Sequence, residues 1–381
     1  MTDRWLQLGG AATTLIPMQI DGDVPEHVLE AFGVSGADIE LLSGGRTNRT
    51  MRVRAGYDLV LQHLRAGGPS DLLQVMENLV RVTSHLEWQH AIGGDRGEPR
   101  WWPQLVPTVA GKPYVMDEQG DVWRAYLYTE GRVARAVQPP AVLESAARLF
   151  GRFSHSTNDL DGPPLAISTP GFHDLDMVWQ AFEVEREHAS ADTERRGAVE
   201  RLAGDLALVE ATRRRIEERC AADGLDLVRT REVHNDTKMS NVLLHPVEPR
   251  ATAVIDLDLV MMGPLWHDIG DLVRSASWHT ATSPPAFGEH QTVRMLRAFI
   301  SAAGPAVGDD EIATFAAAGP RLSFELGVRY LTDHLRSEPH LQVEGEDGHR
   351  RRGRANVRLA AEMLNAYDAL RPATDELIAR R

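Results

Sequence analysis

The stretch 232-EVHNDTKMSNVLL-244 decides how this chain is read, and its core is His234-x-Asp236-x4-Asn241. That spacing suits a phosphoryl-transfer loop. An aspartate takes the proton of an acceptor hydroxyl, and an asparagine five residues on ligates magnesium. Such a loop must bring a base to the hydroxyl and a neutral oxygen ligand to the metal at once. Lys238 stands between the two, placed to touch a transferring phosphoryl group. Of the 41 lysines and arginines only Lys112 and Lys238 are lysines, so one kept inside this loop carries information. Taken alone, the run also fits a polar loop entering a helix.

A second segment strengthens the first. Beyond a proline-containing turn, residues 252–260 (TAVIDLDLV) predict an apolar strand ending in Asp256 and Asp258. Residues i and i+2 of a strand point to one side. Two carboxylates there repel unless a cation lies between them or one is solvated. Magnesium bridging nucleotide phosphates meets that need. The alternative is an edge strand with two solvated acids; the apolar flanks AVI and LVMM speak against it. Residues 263–274 (GPLWHDIGDLVR) follow, with Asp268 and Asp271 on either side of Gly270. One of these aspartates is expected to cap the next helix while supporting the loop.

Composition sets the frame. The 381 residues are 43% hydrophobic and 25% charged, ordinary for a globular chain long enough for two lobes. The formal net charge of −14 argues against a nucleic-acid partner, which needs a basic surface. Arg350, Arg351, Arg352 and Arg354 cluster beside Glu344, Glu346 and Asp347, and read as a solvated loop. Cys220 is the single cysteine, so no disulfide forms within the chain. There is no apolar leader and no run of the roughly 18 apolar residues a membrane span needs. A cytoplasmic protein with no membrane partner is expected. Nothing in the sequence sets the number of copies.

Periodicity divides the chain. Residues 24–33 and 71–88 read as helices; 39–42, 50–54, 58–64, 106–108, 113–116 and 122–128 read as strands. After residue 130 the texture is helical: 139–156, 177–187, 195–223, 291–303, 309–336 and 354–370. The expected fold class is α+β and bilobal, with a small β-rich lobe (1–130) and a large α-helical lobe (131–381).

These residues resemble a known family. VHNDTKMSNVLL with VIDLDLVMMGPLWHDIGDLVR is similar to the aminoglycoside phosphotransferase and choline kinase superfamily. Within it, the pattern is most similar to the N-acetylhexosamine 1-kinase group, through HNDTK-x-x-N, IDLD, D-x-GD and Glu325-Leu-Gly-Val-Arg-Tyr-Leu-Thr-Asp333. GGRTNRT (44–50), VLQHL (60–64), MENL (76–79), WRAYLYTEG (123–131) and FGRFSH (150–155) extend the resemblance over most of the chain. It implies a protein-kinase-like fold using ATP and Mg2+. It makes Asp236 the base, and Asn241 and Asp256 the magnesium ligands. Tyr126, Leu127, Tyr128 and Thr129 become the connection that reads adenine through backbone groups. His173 and Arg329 fall near the acceptor, a small-molecule hydroxyl, most simply that of a sugar; the resemblance taken in full implies the anomeric one.

The chain also departs from kinases. They carry a lysine on the third strand, paired with ATP phosphates; here that strand reads Val60-Leu-Gln-His63. Gln62, or Arg52 or Arg65, has to substitute; a guanidinium binds phosphate well. The nucleotide loop Gly44-Gly45-Arg46-Thr47-Asn48 is not a full G-x-G-x-x-G, and an ordinary hairpin turn is its alternative. His173 could be purely structural, and Arg329 could pair with Glu325 one turn away. Trp101 and Trp102 are expected to pack. Two other functions stay open. One is an aminoglycoside or choline-like phosphotransferase, suited to an acidic protein. The other is a non-catalytic, nucleotide-binding pseudokinase, suggested by the missing lysine.

Overall fold

The computed structural model describes residues 24–44, 48–93, 99–134, 138–278, 285–341, 343, 345 and 347–380. A β-sheet N-terminal region is followed by a helical C-terminal region, the α+β class expected from the pattern. The N-terminal elements are α1 (Glu26–Ala31), β1 (Asp38–Gly44), β2 (Asn48–Arg54), β3 (Asp58–Leu64), α2 (Leu72–Ile92), β4 (Leu105–Val106), β5 (Val115–Met116) and β6 (Val122–Leu127). The strands form one antiparallel sheet in the order β1-β2-β3-β6-β4, with β5 also on β6.

Alternation along these strands sorts side chains between two faces. Leu59, Leu61, Trp123 and Ala125 meet Val28, Leu29 and Phe32 of the α1 segment. Leu64, Val122 and Tyr126, of the opposite parity, join Met76 and Leu79 of α2. Gln62 and Arg124 share that second parity and stand opposite each other across β3 and β6. Asp71 caps α2 by accepting the N–H groups of Leu73 and Gln74. Asn78 then ties α2 to the helical region, donating to Ala166 O (2.8 Å) and Val260 O (3.0 Å).

Next come β7 (Arg132–Val133), α3 (Pro140–Thr157), α4 (Leu175–Ala191), α5 (Arg196–Ala222), β8 (Thr230–Val233), β9 (Val242–Leu244), β10 (Ala251–Val254), β11 (Met261–Pro264) and α6 (Trp266–Ala276). The chain ends with α7 (Glu289–Ala303), α8 (Asp309–Ala313), α9 (Phe315–Leu335), α10 (Gly348–Asn365) and α11 (Tyr367–Ala379). Pro140 opens α3, where its missing N–H costs nothing. Val142, Leu143, Ala146, Ala147, Phe150 and Phe153 then recur at helical spacing and are buried. Two small antiparallel sheets, β10-β9-β7 and β11-β8, lie among the helices. The loop from β8 to β9 carries Asp236, and the loop from β10 to β11 carries Asp256. The two segments that dominate the sequence are therefore neighbouring strand exits.

Close helix contact fixes α6. A Cβ on Gly270 would lie 2.6 Å from Ala318 O and 2.9 Å from Leu322 on α9. Gly270→Ala is therefore expected to lower stability by about 1–3 kcal/mol, the usual cost of overpacking. Urea unfolding checks this; an unchanged midpoint would show that the α6–α9 contact has slack.

Several boundaries differ from expectation. The strand expected over 252–260 ends at Val254, where its β9 partner also runs out. Asp256 then takes a left-handed backbone (φ 64°), so Asp256 and Asp258 are not two rungs of one strand. The helix expected over 309–336 breaks at Thr314 into α8 and α9. The one expected over 354–370 starts six residues earlier and breaks at Ala366 before α11. The arginines at 350–354 lie on α10 rather than in a loop, with Arg350 and Arg354 both paired to buried Asp205. Glu344 and Glu346 lie outside the described residues.

Candidate active site

The loop after β8 is held from behind by α6. The buried Asp268 carboxylate accepts the backbone N–H groups of His234 (3.1 Å) and Asn235 (2.7 Å). Burial pushes this carboxyl up to about 7 despite those two donors. Thr237 Oγ1 donates to Asp268 O, and Met239 N–H to Ser275 Oγ. Asp268 sits inside the first turn of α6, so it supports the loop without capping the helix. His234 is fully buried, edge-on to Phe150 and Phe153, and accepts the Asp236 N–H at Nδ1 (3.3 Å). Burial lowers its pKa, so it serves as a neutral core residue. Among the described residues, the three non-glycine positions with positive φ are His173, Asn235 and Asp256, all at this site. Strain of this kind persists where surrounding contacts over-determine it, and it gathers at functional sites.

Asp236 stands at the centre. Its Oδ2 accepts from Lys238 Nζ at 2.5 Å and from Asn241 Nδ2 at 2.8 Å. Burial alone would raise its pKa, but Lys238 holds it below the usual carboxylate value. The attraction is mutual: burial would lower Lys238, yet Asp236 and Asp256 hold its pKa raised. Lys238 Nζ also lies 3.9 Å from Asp256. Asn241 points its amide nitrogen at Asp236, which leaves its oxygen as the hard donor.

The two aspartates after β10 have different partners. Asp258 is ion-paired to the fully buried Arg124 and accepts from Asn48 Nδ2 at 3.2 Å. Arg124 also donates twice to Gln62 Oε1, at 3.0 and 2.8 Å. Among the described residues Asp256 has only Lys238, at 3.9 Å. Burial, and then the charge of Asp258, pushes its carboxyl up to about 7. An acid raised this way, beside an amide oxygen, is a place where a divalent cation relieves repulsion.

Of these residues, Gln62, Asn241 and Asp256 line one cleft of about 590 Å³. Gln62, Tyr126, Leu127 and Tyr128 lie on its sheet side, and Asn241 and Asp256 on the other. Trp102, expected only to pack, is buried and also forms part of the wall. The N–H groups of Leu127 and Tyr128 donate to Gln104 O and Asp58 O within the protein. Gly44 and Asn48 end β1 and open β2; Gly45, Arg46 and Thr47 lie outside the described residues. Arg52 is engaged by Asp58 and lies 3.9 Å from the Tyr128 ring centre. Arg124, on β6 beside the third strand, is thus a buried cation held by Asp258 and Gln62. The signal for it was an arginine in the apolar run of β6, at the parity of Val122 and Tyr126.

A second pocket of about 450 Å³ shares Ser240 with this cleft and is lined by Lys238 as well. Arg274, Trp278, Tyr330, Arg352 and Asn356 contribute to it. The remaining expected acceptor residues do not line this pocket. His173 is buried and bridges Asn235 O (2.9 Å) to Glu325 Oε1 (3.2 Å), fastening the loop to α9. Arg329 pairs with Glu325 at 3.0 Å and lines a separate hollow beside α4. His173 also holds Glu325 ionised, with its pKa well lowered against burial, alongside Arg329 and Arg321.

The family described as the phosphotransferase enzyme family matches residues 38–307. Among solved structures, an aminoglycoside phosphotransferase from Alicyclobacillus acidocaldarius aligns at 14% identity and TM-score 0.62, over 95% of this chain and 99% of that one. An ethanolamine kinase from Plasmodium vivax aligns at 11% identity and TM-score 0.57, over 90% and 88%. An amicoumacin kinase in complex with AMP-PNP and Ca2+ aligns at 14% identity and TM-score 0.53, over 86% and 88%. At these identities the likeness is one of fold: the bilobal, protein-kinase-like arrangement expected from the sequence.

Proposed function

The chain belongs to the phosphotransferase enzyme family, and on that premise we propose that it transfers the γ-phosphoryl group of ATP, with Mg2+, to a hydroxyl of a sugar or amino sugar. The observation that carries this reading is that two cavities share Ser240 in their walls, with Lys238 lining the second. One holds Gln62, Tyr126, Asn241 and Asp256; the other adjoins the Asp236–Lys238 pair. A donor in the first and a hydroxyl in the second converge beside Asp236.

Each residue then has a physical task. Asp236, held ionised by Lys238, orients the acceptor hydroxyl and takes its proton. Lys238 is within reach of Asp256 as well, and stabilises charge on the moving phosphoryl group. Asn241 and Asp256 are the oxygen donors that fit Mg2+, which when bound neutralises charge on the phosphates. Arg124, paired to Asp258 and donating to Gln62, holds in place the Gln62 side chain that lines the sheet side of the cleft. The pseudokinase reading, prompted by the absence of a third-strand lysine, is opposed by the intact set of Asp236, Asn241 and Asp256.

The raised Asp256 acid has a consequence for metal affinity. Below pH 7 the carboxyl holds a proton that the metal must displace; above it, none. Affinity for Mg2+ in the presence of ADP is therefore expected to rise by up to about ten-fold per pH unit from pH 5.5 to 7, and then to level off. Calorimetric titration in buffers of differing ionisation enthalpy reads both the affinity and the released proton. In Asp256→Asn the rise disappears; a pH-independent affinity in the native protein would contradict the assignment.

The rival acceptor is an aminoglycoside or choline-like amine. The solved enzymes of similar fold are named for such acceptors. Against it, no described residue lining the pocket beside Lys238 is a carboxylate. Coupled measurement of ADP release over neutral sugars, N-acetylated and free amino sugars, aminoglycosides, ethanolamine and choline separates the readings. Turnover confined to the amines would overturn the sugar assignment.

A further inference from the structure

The pocket beside Lys238 carries three cations, and they are not equivalent. Lys238 is neutralised by Asp236. Arg274 is neutralised by Asp271, to which it donates at 2.9 and 2.6 Å. Arg352 has no carboxylate partner among the described residues. Its guanidinium carbon lies over the Trp278 ring, 4.6 Å from the centroid. A guanidinium held over a ring by cation–π attraction can still donate from its N–H groups.

The surroundings of Arg352 are built to hold it. One turn on along α10, Asn356 is 1% exposed and donates to Arg352 O at 2.9 Å. The Asn356 Oδ1 is buried with no hydrogen-bond partner. Leu326 and Tyr330, one turn apart on α9, form the facing wall. The pocket thus presents an aromatic ring, an apolar strip and one fork-shaped donor with no carboxylate partner among the described residues. Its volume of about 450 Å³ falls in the range of small-molecule sites, about 300–1,000 Å³. An amine in it would meet like charge with no described acid to receive it.

We infer that the acceptor is an acidic sugar, whose carboxylate, sulfate or phosphate is bound by Arg352 while its hydroxyl faces Asp236. This rests on the proposed transfer to a sugar hydroxyl and narrows the acceptor within it. A planar fork pairs bidentately with such an anion, whereas a neutral sugar leaves the charge of Arg352 unanswered. The overall charge of −14 gives no warning of this, because recognition is set locally.

The test compares matched acceptors on the full chain: glucose, glucosamine, glucuronate and glucose 6-phosphate, and N-acetylglucosamine with its 6-sulfate. Binding is read by NMR titration with Mg2+ and ADP present, and turnover by ADP release. The acidic member of a set is expected to be favoured at least about ten-fold in both affinity and kcat/KM, the worth of a charge-assisted hydrogen bond. Which acid wins identifies the anionic group. In Arg352→Gln the preference is expected to fall within about three-fold, and Arg352→Lys to keep part of it. Equal or better binding of the neutral or amino member would overturn the inference. So would a preference that survives Arg352→Gln, or a variant whose defect is confined to the KM for ATP. Acidic sugars that bind through Arg352 without releasing ADP would leave the pocket assignment standing and sink the sugar kinase. Turnover of neutral sugars alone would do the reverse.

Discussion

Asp236→Asn is expected to lower kcat by about three orders of magnitude while leaving ATP affinity within a few-fold, given the 10²–10⁴ that a placed general base supplies. The substitution keeps the shape of the side chain, so the loop held by Asp268 should stay in place. What goes is the carboxylate that Lys238 and Asn241 both address. Lys238 then loses its 2.5 Å partner and is left with Asp256 at 3.9 Å. Single-turnover kinetics separates this from slow product release. A variant with more than about a tenth of native kcat would show that the proton leaves by another route.

The second large effect is on stability. Arg124 is 0% exposed and its charge is balanced by Asp258. Arg124→Met removes the cation and strands that aspartate, with a cost of about 3–5 kcal/mol expected from broken buried pairs. Asp258→Asn in the same chain should recover much of the loss, because the stranded charge is gone. Urea unfolding of the single and double variants reads both. A single-variant loss below about 1 kcal/mol would show that Asp258 is solvated and that the Arg124–Gln62–Asp258 contact is not structural. Nucleotide affinity should fall in the same variant, since Gln62 and Asp256 line the cleft on either side.

What the sequence showed of this site depended on how local each signal is. Asp236, Lys238 and Asn241 lie within six residues, so their spacing alone implied their meeting. The helices with strong periodicity, such as α2 and α3, appeared close to their expected bounds. Asp256 and Asp258 were assigned to one strand face because their alternation looks like a strand. The left-handed turn at Asp256 comes instead from contacts with distant residues. Arg124 went unnoticed because its role depends on the register of β3 against β6, which pairs it with Gln62. Arg352 was grouped with neighbouring charges as a solvated loop; only the turn of α10 sends it toward Trp278 while Arg350 faces Asp205. His173 was found through a resemblance, yet its partners Asn235 and Glu325 are far away in sequence and give it a fastening role.

The central claim is that ATP in one cavity and a hydroxyl acceptor in the other meet at Asp236. It is tested most directly by 31P NMR of the native protein with ATP, Mg2+ and the sugar panel. The account predicts ADP and a new sugar phosphate resonance in equal amounts, only with an acceptor present and absent in Asp236→Asn. ATP bound in the cleft with no phosphorylated acceptor formed from any sugar would contradict it.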